Sequence, residues 1–116
     1  MRIIACDFDG TLCENKWPKI GQPNIRLMQY LINCRKCGIK LILNTMREDE
    51  LLEQAVEFCK AYGLEFDAVN DNLDEMKEYF GNNPRKIYAN WYIDDCNAVI
   101  NGLGHRLPDL KKWRES

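Results

Sequence analysis

The stretch Arg2-Ile-Ile-Ala-Cys-Asp-Phe-Asp-Gly-Thr11 opens the chain and decides its fold class. Its apolar run from Ile3 to Cys6 shows no alternation of apolar and polar residues, which is typical of a strand buried on both faces. Such strands belong to parallel sheets that are covered by helices. Asp7 ends the run after a few residues, so it is too short for a signal peptide or a membrane span.

Strand and helix patterns alternate along the rest of the chain. Helical spacing of apolar residues follows Pro23 and ends at Gly38, and a second such pattern ends at Gly63. The sequence predicts strands over 2–7, 39–44, 64–69 and 91–93, with a further short helix over 73–80. This order predicts a doubly wound, Rossmann-like α/β domain with three layers and a parallel sheet, spanning 1–116 without a second domain. The tail after residue 101 is too rich in glycine and proline for an assignment.

Composition excludes several classes of protein. The formal net charge of −2 gives no basic field for general nucleic-acid binding. Six cysteines without a signal peptide indicate a reducing cytoplasm rather than a secreted disulfide framework. Cys34 and Cys37 have the spacing of half a zinc site, but no second pair stands at ligand spacing, so we expect them to be packing residues near a helix end.

Polar residues follow three of the predicted strands. In a doubly wound sheet ligands bind beyond the carboxyl ends of the strands, so these residues are candidates for a site. They are Asp7 and Asp9 after the first strand, Thr45 after the second, and Asp94 with Asp95 after the last. Several carboxylates held together repel one another unless a cation lies among them. All-oxygen ligands without histidine or thiolate favour Mg²⁺, which commonly shares a phosphate oxygen with its substrate.

The segments Asp7-Phe-Asp-Gly-Thr11 and Tyr92-Ile-Asp-Asp95, together with Thr45, resemble the motifs of the haloacid dehalogenase-like phosphohydrolases. The resemblance spans residues 2–97. It implies a nucleophilic Asp7 that forms an aspartyl-phosphate, and an Asp9 that protonates the leaving group and then activates water. The implied activity is magnesium-dependent hydrolysis of phosphomonoesters.

The resemblance also implies how the metal and the phosphoryl group are held. Asp7, the backbone carbonyl of Asp9, and Asp94 would bind Mg²⁺. Asp95 would lie near the ion and orient waters or a lysine. Thr45 would donate a hydrogen bond to the phosphoryl group being transferred.

The remaining site residues are a lysine and three candidates for substrate binding. Lys86 is our choice for the lysine that balances the charge of the phosphoryl group, and Lys77 is the alternative. Gly10 and Thr11 would shape the turn beside the substrate. Arg47 either contacts a substrate anion or is merely solvated, and the sequence does not separate these alternatives.

The chain has no room for the cap domain that many members of the superfamily carry, because residues 12–22 can form only a small flap, with Trp17 as an apolar contact. We therefore expect an open site. A large substrate such as a phosphorylated macromolecule end, or a neighbouring subunit of a homo-oligomer, would cover it, while small phosphorylated substrates also remain candidates.

Two other functions use similar residues. A receiver-like signalling domain also phosphorylates an aspartate on a doubly wound sheet, but there the acceptor ends the third strand, whereas Asp67 lies inside the third predicted strand here. A non-catalytic scaffold would keep the site only to bind phosphate. It predicts inert side chains at one or more motif positions, and every motif position in this chain carries a chemically competent residue.

Overall fold

A computed structural model describes residues 2–81, 87–94 and 100–101. Strands and helices alternate through most of this chain, with a hairpin inserted after the first strand. The elements are β1 (Ile3–Cys6), β2 (Cys13–Lys16), β3 (Lys19–Pro23), α1 (Ile25–Lys36), β4 (Lys40–Leu43), α2 (Asp49–Ala61), β5 (Ala68–Val69), α3 (Asp74–Phe80), β6 (Trp91–Ile93) and β7 (Ile100–Asn101).

Five of these strands form one sheet, in the order β5-β4-β1-β6-β7. The first four are mutually parallel, and β7 runs antiparallel to β6 at the edge. The central strand, β1, has neighbours on both sides, and β4 and β6 arrive from later parts of the chain. This is the Rossmann-like α/β architecture that the alternation of patterns predicts.

Both faces of β1 are buried, which explains its continuous apolar sequence. Ile4 and Cys6 belong to a core cluster that includes Leu31 of α1 and Ala55 of α2. Ile3 and Ala5, which point to the opposite face, belong to a second cluster. Met76 of α3 packs against that second cluster. Helices therefore cover the sheet on both sides, and the expected three layers are present.

The structure differs from the sequence-based assignment in three places. The third sheet strand is only Ala68–Val69, because the Leu64 amide donates to the Cys59 carbonyl at the end of α2 and Leu64 packs in the core outside the sheet. The small flap expected over 12–22 is an antiparallel hairpin formed by β2 and β3. The antiparallel pairing of β7 was not predicted, since two residues carry too little pattern to indicate a strand.

The cysteines of the described chain are free thiols, and most of them pack in the core. Burial, with a contribution from Cys13, raises the pKa of Cys59 to about 12. Burial likewise raises the pKa of Cys6 well above its ordinary value. These two thiols are therefore neutral packing groups. No helix among the residues described has the length and apolar character to span a membrane.

Asp67 ties the start of β4 to the segment before β5. Its carboxylate accepts a hydrogen bond from the Leu41 amide at 2.8 Å and is paired with the Arg35 guanidinium at 3.2 Å. Burial acts to raise the pKa of Asp67, but these two donors outweigh it and hold the pKa below its usual value. The ionised form of Asp67 therefore stabilises the fold at neutral pH.

Replacement Asp67→Asn is expected to lower the free energy of unfolding by about 1–3 kcal/mol at pH 7, because the neutral amide is a weaker acceptor for both donors. A carboxyl whose pKa is depressed on folding contributes stability above its unfolded pKa and loses it as pH falls through the folded pKa. Urea unfolding at pH 7 and at pH 3 checks this. The deficit of the variant should shrink at pH 3, and an equal deficit at both pH values would contradict the assignment.

Candidate active site

The carboxyl ends of β1, β4 and β6 lie side by side. Cys6 is in register with Leu43 of β4 and with Ile93 of β6, so the residues that follow these three leave the sheet at one level. Two backbone hydrogen bonds continue the ladders past the strand ends. The Asp7 amide donates to the Ile93 carbonyl at 2.9 Å, and the Asn44 amide donates to the Cys6 carbonyl at 2.8 Å.

An open pocket of about 290 Å³ lies at this edge. Its polar lining comes from the ends of three strands: Asp7 from β1, Asn44 and Thr45 from β4, and Tyr92 and Asp94 from β6. Three of the residues predicted for the site therefore share one pocket. Their meeting follows from parallel pairing, which brings residues distant in the chain to the same edge.

The loop after β4 is fixed by side-chain hydrogen bonds. The Thr45 amide donates to Oδ1 of Asn70 at 2.7 Å, and Oγ1 of Thr45 accepts from the Arg47 amide at 3.2 Å. A hydroxyl that accepts one bond still has its own hydrogen to donate, so Thr45 can contact an anion in the pocket. Asn70 follows β5 and is the acceptor that fixes this loop. Its left-handed φ of 52° places it in the conformation that asparagine tolerates after a strand.

The turn after β1 places Thr11 beneath Asp7. Gly10 adopts a φ of 80° and donates its amide to the Cys13 carbonyl, which closes the turn. Thr11 is buried, and its hydroxyl donates to Oδ2 of Asp7 at 3.4 Å. Gly10 and Thr11 thus shape the turn after β1. A direct substrate contact by Thr11 stays a prediction that its burial does not favour.

Asp9 and Arg47 form a bidentate ion pair. Nε of Arg47 donates to Oδ2 of Asp9 at 2.8 Å, and Nη2 donates to Oδ1 at 2.7 Å. The Arg47 side chain is 0% exposed and that of Asp9 is 17% exposed. The sequence left Arg47 open between a substrate contact and a solvated position, and its burial shows that the solvated alternative is wrong. The pair with Asp9 was not predicted, and Asp9 is not among the residues that line the pocket. A substrate contact by Arg47 stays a prediction, and its full burial does not favour it.

The Arg47 guanidinium is also held by the hairpin. It donates to the backbone carbonyls of Pro18 and Lys19, each at 3.1 Å. Its central carbon lies 5.1 Å from the centre of the Phe8 ring and 5.0 Å from the centre of the Trp17 ring. Both rings therefore lie within cation–π distance of the guanidinium. Trp17 contacts this cation instead of serving merely as an apolar surface.

Two of the predicted site residues, Lys86 and Asp95, lie outside the described residues. The alternative lysine, Lys77, is described. Its ammonium pairs with Asp71 at 2.6 Å and with Asp74 at 3.6 Å, and it does not line the pocket that contains Asp7. Its present contacts are therefore with carboxylates in and next to α3.

The pocket has donors suited to a hard divalent cation. Mg²⁺ is bound in proteins through one or two carboxylates, retains several waters and shares phosphate oxygens with the substrate. Asp7 and Asp94 supply two carboxylates in one pocket, and the other polar groups there are hydroxyl and amide groups. Among the described residues, no group of three or more histidine, cysteine or acidic side chains is suited to hold a metal. The fit to Mg²⁺ therefore depends on these two carboxylates and on water.

A solved structure of a conserved protein coded by a locus from Bacteroides thetaiotaomicron is similar to this chain, with 38% sequence identity and a TM-score of 0.73. The match covers 97% of this chain and 84% of that one. The chain belongs to the family of that conserved protein. No protein-family model and no curated protein matches it. The similarity supports the α/β fold.

Replacement Arg47→Met is expected to lower the free energy of unfolding by about 3–5 kcal/mol, because it leaves Asp9 without its cation and two hairpin carbonyls without a donor. Arg26→Met, on the exposed side of α1, is the matched control and should cost less than about 0.5 kcal/mol. Urea denaturation of both variants measures the difference. Equal stabilities would contradict a structural role for the pair.

Proposed function

We propose that this protein is a magnesium-dependent phosphomonoester hydrolase of the haloacid dehalogenase type that works through a phospho-aspartate. The observation that carries the proposal is the meeting of Asp7, Thr45 and Asp94 in one pocket at the carboxyl edge of the sheet. These residues come from three different strands, and each has the chemistry that phosphoryl transfer requires. The two carboxylates can hold a cation, one of them can act as nucleophile, and the hydroxyl can bind a phosphate oxygen.

In the first step a carboxylate oxygen of Asp7 attacks the phosphorus of the ester. The bond from phosphorus to the ester oxygen breaks, and its electron pair leaves with that oxygen. Asp9, protonated and turned from Arg47 toward the ester, would supply the proton that makes the leaving group a neutral alcohol. In the second step Asp9 removes a proton from water, and the water oxygen attacks the same phosphorus. The bond to Asp7 breaks, which restores the carboxylate and releases inorganic phosphate.

The neighbours of Asp7 support its assignment as the nucleophile. Its backbone is fixed by the hydrogen bond to Ile93, and its carboxylate accepts a hydrogen bond from the Thr11 hydroxyl. A nucleophile held in one orientation loses less entropy on reaching the reactive geometry. Thr45 lines the same pocket, and its hydroxyl would hold a phosphoryl oxygen while Asp7 attacks.

Asp7 and Asp94 would hold Mg²⁺, with the Asp9 carbonyl and Asp95 as the further groups that the family resemblance implies. The bound cation would offset the repulsion between substrate phosphate and the carboxylates, and would stabilise charge on the transferring phosphoryl group. A lysine would also stabilise negative charge on the phosphoryl group, and Lys86 remains our choice for it. The contacts of Lys77 with Asp71 and Asp74 favour that choice over the alternative.

The openness of the pocket supports a substrate that is not enclosed by the protein. Met46 at its rim is 92% exposed and offers an apolar contact to the leaving group. Small phosphorylated molecules and phosphorylated ends of macromolecules are both candidate substrates for an open pocket. A second subunit that covers the pocket remains the alternative.

A receiver-like role is less well supported. In a receiver the acceptor aspartate ends the third strand of the alternating pattern, but β5 here ends at Val69 and is followed by Asn70. The Asn70 side chain is engaged by the Thr45 amide, and an amide is a poor phosphoryl acceptor. The acidic residues of the pocket come from β1 and β6 instead.

Replacement Asp7→Asn is expected to abolish turnover of an aryl phosphate, because the amide is a far poorer nucleophile. The unaltered protein should release phosphate with Mg²⁺ and lose this activity in excess chelator, with recovery when Mg²⁺ is restored. Phosphate release, with circular dichroism as the control for folding, measures both effects. Retention of most activity by Asp7→Asn would rule out the covalent mechanism.

The two candidate lysines can be separated by a matched pair of variants. If Lys86 balances the phosphoryl charge, Lys86→Ala should reduce kcat/KM by about 100-fold or more, while Lys77→Ala should stay within about threefold of the unaltered protein. Steady-state kinetics on one aryl phosphate compares them. The reverse ranking would assign the role to Lys77.

A further inference from the structure

The orientation of Asp9 differs from that of the two other acidic residues of the site. Asp7 and Asp94 line the pocket, whereas Asp9 is not among its lining residues and turns both carboxylate oxygens toward Arg47. Both contacts are at most 2.8 Å long, as expected for a charge-assisted bidentate pair. The direction of the Asp9 carboxylate is therefore set by the place where Arg47 holds its guanidinium.

The place of that guanidinium is in turn set by the hairpin. Arg47 donates to the carbonyls of Pro18 and Lys19 and lies over the rings of Phe8 and Trp17, and we call these four groups the clamp. Phe8 is a core residue, while Trp17 is half-exposed at the hairpin end. The core thus fixes the Phe8 ring, whereas the position of the Trp17 ring depends on how the hairpin docks.

This clamp lies next to the reacting groups. Arg47 follows Thr45 by two residues, and Asp9 follows Asp7 by two residues. Two residues of extended chain span at most about 7 Å, so the backbones of the clamp and of the pocket cannot be farther apart than that. A shift of the hairpin would therefore move Asp9, the proposed acid–base residue, through the side chain of Arg47.

We propose that Arg47 is the positioning residue for Asp9, and that through Arg47 the docking of the β2–β3 hairpin sets the position from which Asp9 serves the leaving group. The proposal rests on the proposed phosphohydrolase function. It assigns Arg47 no contact with the substrate. A lysine cannot replace it, because a single ammonium cannot form the bidentate pair or stack between two rings.

A double-mutant cycle of Asp9→Asn and Arg47→Lys tests the proposal on two substrates. One is an alkyl phosphate, whose alkoxide leaving group needs a proton, and the other is 4-nitrophenyl phosphate, whose phenolate leaves with little help. On the alkyl ester we expect Arg47→Lys to lower kcat/KM by about tenfold or more. In the Asp9→Asn background the same change should cost less than about twofold.

The two substrates separate positioning from other roles. If Arg47 acts through Asp9, Arg47→Lys should affect the alkyl ester at least about fivefold more than the aryl ester. If Arg47 instead binds the substrate phosphate, Arg47→Lys should lower kcat/KM by the same factor for both esters. The factor should also be the same with Asp9 and with Asn at position 9. Equal losses for the two esters, or full additivity in the cycle, would overturn the proposal.

The hairpin part of the proposal has its own variant. Trp17→Ala removes the outer ring of the clamp without touching the pocket, and should reproduce part of the selective loss on the alkyl ester. Lys16→Ala is the matched control, because Lys16 is an exposed hairpin residue whose side chain is not part of the clamp. A Trp17→Ala variant with unchanged selectivity would overturn the coupling to the hairpin.

Hydrogen exchange tests the same coupling without activity. Asp9→Asn and Arg47→Lys should each speed exchange of the β2 and β3 amides, with α1 as the internal reference. Unchanged exchange in the hairpin would overturn the coupling even in an active enzyme. If the unaltered protein released no phosphate from any ester, the proposed function would fail, and exchange would still decide whether Asp9 and the hairpin are linked through Arg47.

Discussion

Two backbone hydrogen bonds at the end of the central strand are the constraint on which the site depends. The Asp7 amide is bonded to the Ile93 carbonyl, and the Cys6 carbonyl is bonded to the Asn44 amide. They extend the parallel ladders of β1 with β6 and β4 by one step, so three loops leave the sheet at the same level. Acidic residues and a threonine from distant parts of the chain are thereby brought to one pocket.

The parts of the fold that were predictable are those in which a local pattern records burial. The apolar run of β1 is continuous because both faces of the strand are covered, and the helical spacing in α1 follows from a single buried face. The length of β5 was not predictable, because Leu64 is buried without belonging to a strand. The pairing of β7 with β6 could not be predicted, because a segment of two residues has too little sequence pattern to indicate its partner strand.

The same distinction applies to the site. Asp7, Thr45 and Asp94 could be identified because each follows a strand, and the rule for ligand sites in such sheets then brings them to one edge. The pair of Asp9 with Arg47 could not, because it joins side chains 38 residues apart whose relative direction no local pattern encodes. Arg47 is fully buried with its charge met by one carboxylate, two carbonyls and two aromatic rings. Breaking a buried pair is strongly destabilising. Because Arg47 also bonds to the hairpin carbonyls, the pair with Asp9 connects the hairpin to the loop beside the pocket.

Covalent phosphorylation of Asp7 is the step on which the proposed mechanism depends, and the intermediate can be trapped. The protein would be mixed with an aryl phosphate and Mg²⁺, quenched in acid within the first turnovers, and digested for mass spectrometry. The account predicts the added mass of one phosphoryl group on the peptide that contains Asp7, and no such mass in Asp7→Asn. Turnover of the substrate with every peptide unmodified, or with the phosphoryl group on another residue, would contradict the account.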